Sequence, residues 1–258
     1  MIGAIAGDII GSTHEFHNRL KSTDFELFEP RSEFTDDTIL TVAVADCILH
    51  GKDYAHTIKE YGRKYPSSYG ASFNAWLSRD DYAPYNSYGN GSAMRVSPVG
   101  FAFDDFETVL KEAEKSAAVT HNHPKGIEGA QAVAAAIWAA RQGRSKEQVR
   151  ELIQGKFDYD LGHTVEEIRP HVHFNETCQV SVPQAIIAFL DSTDYESAVR
   201  LAVSLGGDAD TQACVSGSIA HAFYRRIPAH VVKSTRALLN AEFLRIVDEF
   251  DRNFRLEY

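Results

Sequence analysis

The chain has 258 residues, of which 44% are hydrophobic and 24% are charged, and these are ordinary values for a soluble globular protein. Its formal net charge of −10 argues against a broad nucleic-acid-binding face, which needs clustered lysines and arginines, although a bound divalent ion can reverse the charge of an acidic pocket. No stretch approaches the ~20 apolar residues that a membrane span requires.

At the N-terminus, the segment MIGAIAGDIIGSTHEF lacks the positive region of a signal peptide, and Asp8 interrupts its apolar stretch. The cysteines Cys47, Cys178 and Cys214 show no metal-type spacing. These features predict a cytoplasmic protein with reduced, mostly buried thiols.

Helical patterns dominate the chain after this segment. Residues 36–51 are apolar almost all round and end in His50-Gly51, which predicts a buried helix that is stopped by glycine. Ser145 and Gln148 form a capping-box pattern, and Pro183 is expected at a first helical position. Further helices are predicted over 104–119, 126–143, 145–155, 182–191, 210–226 and 234–254.

Strand patterns are scarce, and the best of them is the short segment from His171 to Phe174. We therefore predict an all-α fold in a single domain over residues 1–258, because no linker or shift in composition marks a boundary. The tracts from Phe16 to Phe34 and from Tyr61 to Gly91 are predicted to be irregular. Long ordered loops in a compact domain are more often functional than idle.

A TDDT motif at Thr35, Asp36, Asp37 and Thr38 begins the first predicted helix. Two interpretations of this motif remain open. Thr35 can cap the helix, and both aspartates then favour the positive end of the helix dipole. Alternatively, carboxylate and hydroxyl oxygens are hard ligands that suit Mg²⁺, Mn²⁺ or Ca²⁺, which indicates a divalent metal site at the helix N-terminus.

A second acidic motif, GGDADT, begins at Gly206 and also precedes a predicted helix. Asp208 and Asp210 can converge on one ion, with the Thr211 hydroxyl as a further oxygen, and the glycines allow a close approach of the backbone. A capped helix after a tight turn is the simpler interpretation. Two such acidic motifs, each opening an apolar helix, favour a site in which two ions bind a substrate's oxygens and a water together.

Three further segments hold candidate residues. The glycine-rich turn GNGSAMR at 89–95 can present backbone N–H groups to a phosphate, although most such turns are only turns. The segment THNHP at 120–124 predicts a polar loop with one histidine facing a pocket. Glu15 follows the apolar N-terminal stretch, where a solvated loop residue is the ordinary interpretation. Asp8 must be hydrogen-bonded or paired if it is buried.

Taken together, these segments resemble the ADP-ribosylglycohydrolase family, in order along nearly the whole chain. The matching segments are GAIAGDIIGSTHEF, FTDDTIL, GNGSAMRVSPVG, THNHP and LGGDADTQACVSGSIAHAFYR. The resemblance implies a compact all-α orthogonal helix bundle and a site with two Mg²⁺ or Mn²⁺ ions. It also implies hydrolysis of the bond between the ribose C1″ of ADP-ribose and an acceptor, through an oxocarbenium-like state.

The resemblance further implies a role for each candidate residue. The implied metal ligands are Thr35, Asp36, Asp37, Asp208, Asp210 and Thr211. The implied substrate contacts are Asn90, Gly91 and Ser92 around the diphosphate, His121 on ADP-ribose, and Gly206 and Gly207 along the ribose. The implied catalytic residues are Glu15, Asp36 and Asp210, and Glu15 or a metal-bound aspartate is expected to accept the proton of the attacking water.

One stretch departs from the family pattern. The arginine-directed type has an aspartate in a D-x-G step where this chain has Ser68-Tyr69-Gly70, so a serine-linked, nucleic-acid-linked or free ADP-ribose derivative is as compatible as an arginine-linked one. The expected partner is thus an ADP-ribosylated protein, nucleic acid or small molecule, and no membrane. Two alternatives remain: a two-metal phosphohydrolase acting on a nucleotide-like substrate, and a non-catalytic relative that binds ADP-ribose.

Overall fold

α-Helices make up the regular structure of residues 1–15 and 21–258, which are the residues that the computed structural model describes. The helices are α1 Ile2–Gly11, α2 Asp36–His50, α3 Tyr54–Lys64, α4 Ala71–Ser78, α5 Gly91–Met94, α6 Ser97–Ala102, α7 Phe106–Ala118, α8 Pro124–Arg141, α9 Lys146–Lys156, α10 Val165–Ile168, α11 Cys178–Asp191, α12 Tyr195–Ser204, α13 Ala209–Tyr224, α14 Ala229–Leu238 and α15 Ala241–Asn253. A 3₁₀ turn covers Arg169–His171. No strand forms within the described ranges, so the all-α prediction is confirmed.

Helix α13 is the centre of the fold, because α1, α8, α11 and α12 all pack against it. It approaches α1 very closely at the glycines of α1: a Cβ on Gly7 would lie 2.1 Å from the Ala213 carbonyl oxygen, and one on Gly11 would lie 2.4 Å from the Asp210 Cα. Only glycine permits this contact between backbones. The contact places Asp8, the one polar side chain of α1, beside the first turn of α13.

Helix α2 is buried on nearly every side, as its apolar sequence predicts. It begins at the N-cap Thr35 and ends at Gly51, which adopts a left-handed conformation with φ of 63°. It packs against α3, α6 and α15 and touches α1 and α13 near its own N-terminus. The predicted capped helix with a glycine stop is therefore confirmed.

Several expected boundaries are wrong. Pro183 is not a first helical residue but lies inside α11, which begins at Cys178. The predicted tail helix over 234–254 is broken at Asn240, whose side chain accepts a hydrogen bond from the Phe243 backbone N–H at 2.9 Å and caps α15. The segment from His171 to Phe174 forms no strand.

The two tracts predicted to be irregular fare differently. The tract from Tyr61 to Gly91 contains the end of α3 and all of α4, so this prediction is wrong in part. In the tract from Phe16 to Phe34, residues 16–20 lie outside the described residues, and 21–34 contain no helix. Among the helices that the structure describes, none combines the length and the apolar character needed to cross a bilayer.

Candidate active site

The N-termini of α2 and α13 meet at one place, which brings the two acidic motifs together. Asp36 and Asp37 are the first two residues of α2, and Asp208 and Asp210 flank the start of α13. The Thr211 hydroxyl donates to Asp37 Oδ2 at 3.3 Å and links the two motifs directly. Motifs 170 residues apart in the chain thus form one acidic cluster.

Asp8 of α1 is the residue that holds this cluster in place. Its carboxylate accepts hydrogen bonds from the Thr35 hydroxyl at 2.7 Å and from the backbone N–H groups of Thr35 and Thr38 at 3.0 and 3.1 Å. The Thr38 hydroxyl donates to the same carboxylate. The buried Asp8 is therefore fully hydrogen-bonded, as its position in an apolar stretch predicts, and it fixes the start of α2.

Two groups of carboxylate oxygens within the cluster could each hold a metal ion. One oxygen from each of Asp8, Asp37 and Asp210 lies within 4.8 Å of the others, and the same holds for Glu15, Asp208 and Asp210. Asp210 belongs to both groups. The two possible cation sites are therefore adjacent and share the Asp210 carboxylate.

The electrostatics of the cluster are unfavourable without a cation. Burial, followed by repulsion from Asp210 and Asp8, raises the pKa of Asp36 to about 7. Burial and the charges of Asp210 and Asp36 raise the pKa of the half-buried Glu15 to about 8. Burial and neighbouring carboxylates also raise the pKa values of Asp37 and Asp210 well above their ordinary value. Like charges held this close favour the binding of a proton or of a cation.

The residues present fit a divalent cation. Asp37 Oδ1 is buried and has no hydrogen-bond partner among the described residues, so one carboxylate oxygen is left free for a ligand. All the groups that converge here are carboxylate or hydroxyl oxygens, which are the ligands of Mg²⁺, Mn²⁺ and Ca²⁺. The free oxygen and the accumulated negative charge indicate the same kind of ion.

A cavity of about 500 Å³ opens over the cluster and has two different ends. The acidic end is formed by Glu15, Asp36, Asp37, Asp208, Asp210 and Thr211. The other end contains Tyr85, Gly89 and Gly91, which are grouped around the His121 ring, together with Arg95. This volume lies within the usual range for small-molecule sites. A ligand with both a polyhydroxylated and an anionic part would match the two ends.

Several predicted substrate contacts lie at this cavity. Asn90 donates from Nδ2 to Asp208 Oδ2 at 2.6 Å and to Ser181 Oγ at 3.1 Å, so its side chain supports an acidic residue of the cluster. A Cβ on Gly91 would lie 3.0 Å from His121 Nε2, which shows how closely the histidine faces this turn. These residues join the acidic end to the opposite end.

Other predicted site residues support the site from outside the described lining of the cavity. The Ser92 hydroxyl is fully buried and donates to the Gly126 carbonyl oxygen at 2.7 Å. Gly206 has a φ of 66°, which makes the turn into α13 possible, and a Cβ on Gly207 would lie 2.9 Å from Gln212 Nε2. Thr35 is the N-cap of α2, which confirms the capping interpretation and leaves metal ligation a prediction.

The sequence alone did not assign a role in this site to four residues: Asp8, Tyr85, Arg95 and Glu176. Asp8 carried a signal, since a charged residue in an apolar segment needs a partner. Tyr85 belongs to a tract that was expected to be functional, but nothing distinguished it from the other tyrosines there. Glu176 and Arg95 line the cavity as well. Arg95 ends the GNGSAMR turn, for which the sequence predicts backbone contacts but no role of the arginine side chain, and Glu176 lies in no motif that the sequence singles out.

Comparisons with known proteins agree with this geometry. A family model described as ADP-ribosylglycohydrolase matches residues 1–257. The chain is 29% identical to ADP-ribosylhydrolase ARH3 from Homo sapiens, over 87% of this chain and 84% of that protein. It is 27% identical to ADP-ribosylarginine hydrolase Tri1 from Pseudomonas putida, over 87% of this chain and 69% of that protein. A solved structure titled ADP-ribosylglycohydrolase-related protein complex shares the fold, with a TM-score of 0.73 at 22% identity, over 99% of this chain and 95% of that one.

Proposed function

The chain belongs to the ADP-ribosylglycohydrolase family and is an ADP-ribosyl glycohydrolase, and we propose that it cleaves the C1″ glycosidic bond of ADP-ribose with the help of two divalent ions, Mg²⁺ or Mn²⁺. The observation that carries this proposal is the meeting of the two acidic motifs in a cavity whose carboxylates have no cationic partner at that end among the described residues. Two bound metal ions would neutralise these carboxylates and bind the ribose hydroxyls.

The proposed ligands are the residues at the two helix N-termini. Thr35, Asp36 and Asp37 would hold ions from the side of α2, and Asp208, Asp210 and Thr211 would hold them from the side of α13. When bound, the ions supply positive charge to substrate oxygens and lower the pKa of water. The hydrogen bonds of Asp8 to Thr35 and Thr38 support this assignment, because they fix the α2 ligands before any ion arrives.

Glu15 is the proposed acceptor of the proton from the attacking water. It lines the cavity, is only half-buried, and lies within reach of Asp208 and Asp210 without belonging to either helix N-terminus. In the reaction the bond between C1″ and the acceptor breaks, the water oxygen bonds to C1″, and the acceptor leaves with a proton. Asp36 and Asp210 would take part in the reaction through the ions that they hold.

The remaining substrate contacts follow the two ends of the cavity. We propose that Asn90, Gly91 and Ser92 surround the diphosphate, that His121 contacts it, and that Gly206 and Gly207 lie along the ribose. The support is geometric for the first end, since Asn90, Gly91 and His121 line the cavity together. For the two glycines the support is the tight turn that places Asp208.

The acceptor side of the cavity is neutral where the arginine-directed pattern has an aspartate. Ser68 and Gly70 line this rim with Ala71 and Ser72, and the Tyr69 hydroxyl turns away to donate to the Tyr65 carbonyl oxygen at 2.7 Å. A guanidinium would find no carboxylate in these positions. This favours an acceptor joined through an oxygen, on a protein, a nucleic acid or a small molecule.

A panel of substrates tests the proposed function. Arginine-, serine- and nucleic-acid-linked ADP-ribose and O-acetyl-ADP-ribose are each incubated with Mg²⁺, with Mn²⁺ and with EDTA, and the products are identified by mass. Release of ADP-ribose that EDTA abolishes is expected for at least one oxygen-linked substrate. Release of inorganic phosphate or a nucleotide would support a phosphohydrolase instead, and tight ADP-ribose binding without any cleavage would support a binding protein.

The domain organisation and the compartment are also proposals. A continuous apolar core runs from Met1 to Phe250, which supports a single domain over 1–258. One cooperative calorimetric transition is expected for a single domain, and two resolved transitions would contradict it.

Cys47, Cys178 and Cys214 are all buried and unpaired, which supports a reducing, cytoplasmic location.

A further inference from the structure

Arg95 is a fully buried guanidinium for which the described residues supply no carboxylate partner. Its Nη2 donates to the Ser116 carbonyl oxygen at 3.0 Å and to Thr120 Oγ1 at 2.9 Å, while Nε and Nη1 have no partner. Burial lowers the pKa of this group to about 10, a value at which it is still charged at neutral pH. An unpaired buried charge is costly, and its position at the basic end of the cavity indicates a task there.

The contact with Thr120 links Arg95 to His121. Thr120 Oγ1 lies 2.8 Å from His121 Nδ1, and both residues are almost completely buried. A threonine hydroxyl has one proton and two lone pairs, and the Arg95 N–H occupies one lone pair. The Tyr85 hydroxyl, which also bonds Thr120, can donate to the second lone pair, so the proton of Thr120 is available to His121 Nδ1, which lies within hydrogen-bond distance.

The charge of Arg95 decides which nitrogen of His121 carries the proton. A guanidinium on the Nδ1 side attracts the lone pair of Nδ1 and repels an N–H group there. Burial and the same charge lower the pKa of His121 well below its ordinary value, so the ring is neutral. The proton of a neutral ring whose Nδ1 accepts a bond must be on Nε2.

Nε2 of His121 faces the glycine turn of the cavity. A Cβ on Gly91 would lie 3.0 Å from Nε2, and one on Gly89 would lie 3.7 Å away. A side chain at Gly91 would press against the His121 ring, so glycine at this position keeps that side of Nε2 clear. An N–H group at this place points where an anionic ligand part would lie.

We propose that Arg95 and Thr120 are positioning residues that hold His121 as the neutral tautomer with its proton on Nε2, a fixed donor to the diphosphate of the substrate. The identity of the anion rests on the proposed function, whereas the tautomer does not. Thr120 transmits the effect of Arg95, and neither residue needs to touch the reacting atoms.

The tautomer is tested on the wild-type protein, without any measurement of activity. Two-bond ¹H–¹⁵N correlation spectra of ¹⁵N-histidine-labelled protein distinguish a protonated ring nitrogen from an unprotonated one, and the spectrum of His121→Asn identifies the signal of His121. We expect a protonated Nε2 and an unprotonated Nδ1 between pH 6 and 8. A protonated Nδ1, or a doubly protonated ring, would overturn the inference.

Matched variants test the consequence. Thr120→Val removes the hydroxyl, and Thr120→Ser retains it. For Thr120→Val we expect an about tenfold weaker Kd for ADP-ribose by calorimetry and an about tenfold higher KM, while kcat changes by less than about threefold. Thr120→Ser should restore both constants to within about twofold and restore the wild-type ¹⁵N signals. Equal losses in the two variants would contradict the proposed role of the Thr120 hydroxyl.

A second pair of variants, both at His121, tests the proposal if the Thr120→Val protein does not fold. The amide of glutamine reaches the place of Nε2, whereas the amide of asparagine reaches only the place of Nδ1. His121→Gln should therefore bind ADP-ribose at least about fivefold more tightly than His121→Asn. The reverse order would refute a donor at Nε2. A wild-type protein that neither binds nor releases ADP-ribose would instead refute the proposed function, with the ¹⁵N spectra still reporting on the tautomer.

Discussion

Two buried aspartates at opposite ends of helix α2 differ in whether the protein supplies them with a cationic partner. Near its C-terminus, Asp46 accepts hydrogen bonds from Lys52 Nζ and His50 Nδ1, both at 2.7 Å, and from the Tyr61 hydroxyl at 3.0 Å. At its N-terminus, Asp37 has an oxygen without any partner among the described residues. The two residues are equally buried, at 3% and 2% exposure. One helix thus carries a neutralised and an unneutralised carboxylate.

The pKa values show the consequence. Burial acts on both residues in the same direction, but at Asp46 the hydrogen bonds and the charge of Lys52 outweigh it, so the pKa is lowered. At Asp37, burial and the charges of Asp210 and Asp8 all raise the pKa. Burial therefore does not by itself determine the direction of these pKa shifts. The presence or absence of a cationic partner within the protein does.

The largest expected effect is on catalysis. Asp210→Asn removes the carboxylate shared by both oxygen groups, so kcat/KM for the best substrate of the panel should fall by about 10³-fold or more. Asp46→Asn is the matched control at the other end of the comparison, and its kcat/KM should stay within about twofold of wild type. Steady-state kinetics in Mg²⁺ checks both. Undiminished turnover by Asp210→Asn would remove the acidic cluster from the mechanism.

The next effect concerns the proposed divalent cation. Mg²⁺ or Mn²⁺ at about 100 times its Kd should stabilise wild-type protein by about 2.7 kcal/mol, which is a rise in Tm of about 5–10 °C for a chain of this size. Thermal melts with metal and with EDTA measure the shift. Asp37→Asn should lose most of it because it removes the oxygen that lacks a partner. Asp46→Asn should keep it, and equal shifts in both variants would mean that the ion binds elsewhere.

Part of this comparison was accessible from the sequence. The TDDT and GGDADT motifs predicted a shared metal site because each opens an apolar helix, and the structure brings Asp37 and Thr211 into contact. The capping role of Thr35 was also predictable, because capping depends on residues within one turn. Features that depend on residues within one helical turn can therefore be predicted from the sequence.

The rest depends on contacts between distant segments. The partners His50 and Lys52 lie within six residues of Asp46, but only the fold brings the Tyr61 hydroxyl to it. Helix α1 is rich in glycine, which is a poor helix former. It is helical in the structure, where α13 packs directly against it at Gly7. The break at Asn240 went unnoticed because the apolar stripe continues across it. Propensity and periodicity do not contain these tertiary effects.

A smaller effect should be seen in stability at neutral pH. Asp46→Asn leaves the three hydrogen-bond donors without a charged acceptor, so the free energy of unfolding should fall by about 1–2 kcal/mol. Chemical denaturation in EDTA measures it. Asp36→Asn serves as the opposing variant: it removes a repelled charge from the acidic cluster, so without metal it should be neutral or stabilising. A loss of stability in Asp36→Asn equal to that in Asp46→Asn would erase the difference between the two ends.

The smallest effect is the pH dependence of that stability. Since the pKa of Asp46 is lower in the folded protein than its ordinary value, the folded state holds the proton less strongly than the unfolded state. Its contribution is therefore fully present above the unfolded value of about 4, and it is lost as the pH falls through the lower folded value. The difference in unfolding free energy between wild type and Asp46→Asn should stay constant from pH 7 to about pH 5 and then shrink toward pH 3. A difference that persists unchanged at pH 3 would show that packing at this position, and not the charge of Asp46, stabilises this end of α2.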